Sequence, residues 1–262
     1  MREPLDLILV ERRLVESRRK AQWLIRNGYV LVEGNKIKEP GKRIDNRLKI
    51  ELIKKFPYVS RGGLKLEKAL KDFDVSTQGK VCADIGVSRG GFTDCLIQHG
   101  AKKVYALDSA TNLLHPSLRC KKMKGKVKPI LGIDARTFIK LEEKVDICTL
   151  DITMTPLKDV LPNVKHYLKK NGDIIALIKP VFEIINSISS IPKTIENPED
   201  LEKILEDFIL WCENHAFYVL DLLLSPIKGK NGSYEFLVHI KSTDQRKINL
   251  HKTIQEELAK IR

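Results

Sequence analysis

Between residues 80 and 240, short apolar runs alternate with helical patterns, and that alternation leaves the chain few architectures. The runs fall at 81–85, 104–108, 127–131, 145–152, 173–178, 218–224 and 234–240. Helical segments at 91–99, 157–169 and 198–215 lie between them, and 247–262 reads as a terminal amphipathic helix. Apolar strands without strict alternation are strands buried on both faces, so the pattern predicts an α/β fold with a mainly parallel sheet and helices on both sides. The last two strands are joined only by the Gly-rich turn 228–232, which makes the final strand antiparallel.

Residues 1–58 have a different texture. They carry 15 Lys/Arg against 8 Asp/Glu, whereas the other 204 residues carry 32 against 26. Half of the net charge of +13 is thus concentrated in the first fifth of the chain, which points to a polyanionic partner. The segment reads helix, turn, helix, then short strands. Ser17 suits an N-cap, residues 18–27 a helix, and Gly28 its left-handed end. Ala21, Leu24 and Ile25 form the apolar face of that helix. Arg18, Arg19, Lys20 and Arg26 are the candidate phosphate contacts, with Arg61 further on. Strands are expected at 29–32, 36–37 and 48–53.

Other classes are excluded early. Hydrophobic residues make up 42% and charged residues 31%, as in a folded protein. The longest aliphatic run, 174–178, cannot span a bilayer, so no membrane insertion is expected. The five cysteines make no C-x-x-C pair and the six histidines no H-E-x-x-H spacing, so neither a disulfide framework nor a metal site is expected. With no cleavable apolar segment, the expected location is the cytoplasm.

The turn after the first strand is Asp84-Ile-Gly86-Val-Ser88-Arg-Gly90-Gly91-Phe92. Glycines between a strand and a helix let backbone approach a ligand. An acid inside the turn would repel a pyrophosphate but suits a cationic or amine-bearing ligand. Asp108 ends the second strand, about 20 residues on, where a carboxylate can accept both hydroxyls of a ribose. Asp134, followed by Ala135, can accept from an exocyclic amine. A nucleoside with an amine and no phosphate points to S-adenosyl-L-methionine. A second set of residues lies at strand ends: Asp151, Lys179, Glu235 and, ahead of the sheet, Lys65. A lysine desolvated at a strand end can act as a base.

Four stretches, 60–70 (SRGGLKLEKAL), 80–96 (KVCADIGVSRGGFTDCL), 176–183 (ALIKPVFE) and 225–237 (SPIKGKNGSYEFL), resemble the TlyA-type, hemolysin A-like RNA methyltransferases, and residues 14–44 resemble their S4-like RNA-binding domain. The resemblance implies an S4-like α+β domain at 1–59 and, at 60–262, an FtsJ-like Rossmann methyltransferase with a seven-stranded sheet. It further implies transfer to a ribose 2′-hydroxyl, that of a cytidine, in ribosomal RNA or ribosomal subunits. Its Lys-Asp-Lys-Glu tetrad falls on Lys65, Asp151, Lys179 and Glu235; its cofactor residues fall on Asp84 to Gly91, Asp108 and Asp134-Ala135. The chain departs from the family where Ser109-Ala110-Thr111-Asn112 follows Asp108, where Ile152-Thr153-Met154-Thr155-Pro156 follows Asp151, and where Ile184-Ile185 follows Glu183. Two further readings stand beside the enzyme: a non-catalytic ribosome-assembly factor that keeps the fold, and a membrane-active hemolysin-like protein. The sequence is silent on oligomeric state.

Overall fold

The structure is a computed structural model that describes residues 2–137, 139–184, 191–243 and 249–261. The chain separates into two compact units, Met1–Pro57 and Tyr58–Arg262. The division expected after residue 59 thus falls after Pro57. Tyr58 is buried and its hydroxyl donates to Glu67 (2.8 Å), and Val59 N donates to the Asp94 carboxylate (2.8 Å), so both residues belong to the second unit.

The first unit runs β1 (Arg2–Pro4), α1 (Leu5–Glu11), α2 (Arg18–Arg26), β2 (Val30–Val32), β3 (Asn35–Lys36), β4 (Arg43–Asp45) and β5 (Ile50–Leu52). β1 pairs antiparallel with β4, and β3-β2-β5 form a small antiparallel sheet. The Ser17 hydroxyl accepts from Lys20 N and caps α2; Gly28 closes the helix at φ +71°. Ala21, Leu24 and Ile25 are fully buried against Leu5, Ile8 and Leu9 of α1, the packing that an apolar stripe on each helix dictates.

The second unit begins with α3 (Gly62–Asp72), a helix the sequence reading did not foresee, because two glycines open it. They are there for contact: a Cβ on Gly63 would overlap the Tyr58 ring. Then follow β6 (Val81–Ile85), α4 (Gly91–Gln98), β7 (Lys103–Asp108), α5 (Pro116–Arg119), β8 (Val127–Leu131), β9 (Val145–Leu150), α6 (Leu161–Tyr167), β10 (Leu168–Ile178), α7 (Pro180–Glu183), α8 (Pro198–Asn214), β11 (Tyr218–Leu224), β12 (Phe236–Lys241) and α9 (Leu250–Leu258). The sheet order is β11-β12-β10-β9-β6-β7-β8. β10, β9, β6, β7 and β8 are parallel, and β12 is antiparallel to both its neighbours, as the Gly-rich turn predicted. Ile174 to Ile178 are at most 1% exposed, which is why that strand reads as an unbroken apolar run.

Several boundaries differ from the sequence reading. The helix expected over 157–169 is a 3₁₀ turn, Leu157–Asp159, followed by α6. Pro162 lacks an N–H and so sits in the first turn of α6 rather than inside a longer helix. Leu168 and Lys169 already belong to β10. β12 starts at Phe236, so Glu235 precedes the strand instead of opening it. Asp151 and Lys179 stand one residue beyond β9 and β10. Of the expected terminal helix, residues 247, 248 and 262 lie outside the described residues, as does residue 185 of the segment after Glu183.

The chain leaves β6 for β7 and β8 on one side, then crosses to β9 and β10 on the other. Strand order therefore reverses between β6 and β9, and in open α/β sheets the crevice at the carboxyl ends of such strands is where ligands bind.

Candidate active site

The turn after β6 is built for close approach. Gly86 has φ +82°, and a Cβ there would overlap the carbonyl of Asp151. Its N–H and that of Val87 both donate to Leu107 O of the neighbouring strand. The turn leaves Ser88 N 2.6 Å from Asp108 Oδ2, while Ala110 N lies 2.8 Å from Oδ1. Two backbone amides thus fix the Asp108 carboxylate at the tip of β7.

Gly86, Ser88, Asp108, Asp134 and Ala135 line a cavity of about 310 Å³ over this turn. Leu107, Ile133 and Ile139 add apolar wall, and Ser109, Ala110, Thr153, Thr155 and Tyr167, which the sequence does not mark as ligands, are also among the lining residues. The residues present fit a nucleoside: aliphatic side chains and polar groups share the walls, with the anchored Asp108 carboxylate among them.

Four expected contacts, Asp84, Gly90, Gly91 and Phe92, are not part of the cavity wall. Asp84 is fully buried, and its carboxylate accepts the hydroxyls of Thr93 (2.6 Å) and Thr149 (2.9 Å). Burial pushes its pKa up to about 6 despite those bonds. It ties β6 to α4 and β9 and does not line the cavity. Phe92 is buried under Gly62; Gly90 makes room for Leu118, and Gly91 for Ser60. Asp134 lines the cavity, but its carboxylate accepts from Arg136, which competes with the expected amine. That guanidinium holds the Asp134 carboxyl down at about 2.

A second cavity of about 520 Å³ contains the whole second set, Lys65, Asp151, Lys179 and Glu235, with Arg61 on its wall. Lys179 Nζ lies 2.6 Å from Asp151 Oδ1 and 3.0 Å from Thr153 Oγ1. Burial opposes ionisation of Asp151, but the cations of Lys179 and Lys65 outweigh it and hold this carboxyl below its usual range. Lys65, on the inner face of α3, forms a buried ion pair with Glu235. Gly229 lies against that glutamate, where a Cβ would overlap the carboxylate. Ser88, Asp151 and Thr153 line both cavities, so the two meet at the Lys179–Asp151 pair. The arrangement offers a cation-and-carboxylate pair between a nucleoside-sized slot and a second pocket that carries Lys65, Glu235 and Arg61.

In the first unit the expected phosphate contacts divide. Arg18 Nε donates to Asp6 Oδ2 at 2.7 Å, and Gln22 shares the same oxygen. Lys20 is 12% exposed, pairs with Glu16 at 2.9 Å and lies over the Phe56 ring. Arg18 and Lys20 thus have acidic partners within the unit, while Arg18, Arg19 and Arg26 are all exposed. Among the described residues, Glu202, Glu206 and His251 form a group able to hold a metal; it lines neither cavity.

Residues 58–242 match the model of the FtsJ-like methyltransferase family. The chain belongs to that family. Residues 3–46 match the S4 domain. The four motif stretches and the 14–44 segment that carried the resemblance lie within these two matches. This methyltransferase is 37% identical over 248 residues to "Putative rRNA methyltransferase YqxC" of Bacillus subtilis, covering 91% of this chain and 85% of that one. It is 33% identical to the 23S rRNA (cytidine-2'-O)-methyltransferase TlyA of Campylobacter jejuni, covering 88% of this chain and 96% of the relative. A solved structure called "Putative hemolysin from Streptococcus thermophilus" superposes with a TM-score of 0.72 at 32% identity, covering 99% of this chain and 95% of that one. No helix among the described residues is long and apolar enough to cross a membrane.

Proposed function

We propose that this methyltransferase transfers the methyl group of S-adenosylmethionine to the ribose 2′-hydroxyl of a cytidine in ribosomal RNA. The observation that carries the reading is the meeting of the two cavities at the Lys179–Asp151 pair. The name of the Campylobacter relative supplies the substrate class, and the S4 match in the basic first unit supports RNA as the partner.

Bound in the smaller cavity, S-adenosylmethionine supplies a sulfonium-activated methyl group. Asp108, with its carboxylate already oriented by two amides, accepts the ribose hydroxyls, and Ile133, Ala135 and Ile139 flank the base. Lys179 takes the proton leaving the 2′-oxygen after releasing its own ammonium proton to solvent, while Asp151 and Thr153 hold its Nζ in direction. Lys65 and Glu235 position the target ribose from the far wall of the larger cavity. Because the electrophile is already activated, most of the protein's contribution is orientation. Arg19 and Arg26 contact phosphate, and Arg61 reaches RNA beside the larger cavity.

The test is incubation of the protein and S-adenosylmethionine with each ribosomal subunit, followed by mapping of methylated ribose. One modified cytidine is expected. Cofactor binding with no methylated product on either subunit would instead support the non-catalytic assembly factor.

A further inference from the structure

Glu183 is buried, 7% exposed, at the end of α7, four residues beyond Lys179. Its Oε1 accepts from the backbone N–H of Leu157 at 3.0 Å, the first residue of the 3₁₀ turn that follows the Asp151–Pro156 loop. Its Oε2 is buried with no hydrogen-bond partner among the described residues. A buried carboxyl with one unsatisfied oxygen costs stability, so its place asks for a reason.

The geometry supplies one. Two segments carry the pair at the junction of the cavities: 151–157 holds Asp151 and Thr153, and 179–183 holds Lys179. At their near ends they are joined by Lys179 Nζ to Asp151 and Thr153. At their far ends they are joined by Glu183 to Leu157 N. The loop is anchored at its start by Asp151 N donating to Ile85 O and by burial of Ile152 in the core, and residues 153–155 form its less buried middle. Met154 in its middle is 60% exposed and has a left-handed φ of +68°, which L-residues other than Asn and Asp seldom adopt. The near tie holds the loop where Thr153 meets Lys179, and the Glu183 tie holds its backbone where it enters the 3₁₀ turn, so the stretch 153–155 is held at both ends to the segment that carries Lys179.

Resting on the methyl-transfer reading above, we propose that Glu183 is a positioning residue that staples the Asp151 loop to the Lys179 segment and so fixes the direction of Lys179 Nζ. The groups facing the carboxyl are Lys158 and Asp159 on the 3₁₀ turn and Cys212 on α8. Burial is the largest influence and raises the carboxyl to about 7; Leu157 N and Lys158 pull it down, and Asp159 adds to the rise. The ionised carboxylate makes the stronger bond to Leu157 N, since charge-assisted hydrogen bonds are shorter and stronger. The staple therefore tightens as pH rises through neutrality.

The experiment compares wild type, Glu183→Gln and Glu183→Ala in the full chain. Each is assayed by single-turnover methylation of ribosomal subunits from pH 6 to 9 and by hydrogen exchange at the Leu157 amide. Glu183→Gln keeps an acceptor for Leu157 N, so its rate should stay within a few-fold of wild type while the component of the pH profile near 7 disappears. Glu183→Ala should lower the rate by about 10²-fold, the effect of a misplaced catalytic group, with KM for the cofactor nearly unchanged. Exchange at Leu157 should accelerate strongly in the Ala variant and only slightly in the Gln variant, whose neutral acceptor makes the weaker bond. An Ala variant that turns over normally, or exchange at Leu157 that is unchanged by Glu183→Ala, overturns the staple. Wild type that makes no product on any subunit overturns the methyl-transfer reading instead, and the exchange measurement still decides whether the tie exists.

Discussion

Lys179 Nζ sits 2.6 Å from Asp151 Oδ1, and the two residues stand one position past the ends of neighbouring parallel strands. Parallel pairing of β9 and β10 delivers both side chains to the same edge of the sheet, beside the Gly86 turn of β6. The cation and the carboxylate therefore meet at the switch point without any loop having to fold back to bring them together.

Replacement of Lys179 tests the chemistry. Lys179→Ala should leave cofactor and RNA affinity nearly unchanged and reduce the single-turnover rate by roughly 10²–10⁴-fold, the usual share of a positioned acid–base group. Lys179→Arg keeps a cation beside Asp151 but cannot give up its proton at working pH, so it should not restore the rate. An Arg variant with near-normal turnover would reduce Lys179 to a positive charge.

Asp84 makes stability depend on pH. Burial raises its pKa from 3.8 to about 6, so between those values the native state holds a proton that the unfolded chain has released. Its favourable contribution is complete below pH 3.8 and is lost as pH rises through 6. A shift of this size corresponds to about 3 kcal/mol. Asp84→Asn should therefore gain on wild type by up to that amount between pH 4 and pH 7 in denaturant unfolding. Parallel unfolding curves at both pH values would show that the carboxyl is not desolvated as described.

The cations of α2 should separate by role. Arg18→Ala removes the charged donor to the buried Asp6 carboxylate but leaves Gln22 on the same oxygen, and, with Arg18 half exposed, should cost about 1 kcal/mol of stability of the first unit. Arg19→Ala and Arg26→Ala should leave melting unchanged. Each should weaken RNA binding and reduce the slope of log K against log salt by about 0.7–0.9. Equal effects of all three on RNA affinity, with no loss of stability for Arg18→Ala, would count against the division.

Gly229 is the smallest handle on the larger cavity. A methyl group there meets the Glu235 carboxylate, so Gly229→Ala should push Glu235 away from Lys65. We expect methylation to fall at least tenfold while cofactor affinity, read by calorimetry, stays at the wild-type value. Equal loss of both would place Gly229 in general folding and not in the target pocket.

How much of this was legible in the sequence follows from the range of each interaction. Strand periodicity, the Ser17 cap, the left-handed Gly28 and the glycines of the 86–91 turn are local, and the residues that enforce them are adjacent in the chain. The antiparallel final strand was readable for the same reason, since only a short turn precedes it. The opening of α3 was not readable, because its glycines are explained by Tyr58 and Phe92, which only the folded unit brings against them.

The same distinction governs the site. The sequence alone determined an α/β sheet, a Gly-rich turn with Asp108 some 20 residues on, and a set of chemically suited residues near strand ends. Tertiary structure decided what each one touches. Lys65 and Glu235, 170 residues apart, become a buried ion pair only when α3 packs beside β12. Asp84 looks like a ligand in its motif, yet two threonines from other elements enclose it. Arg18 has a partner that its own segment does not announce, the Asp6 carboxylate presented by α1. A local pattern fixes backbone geometry through bonded neighbours, whereas burial and partner choice depend on which distant segments fill the remaining space, and that is settled only by packing.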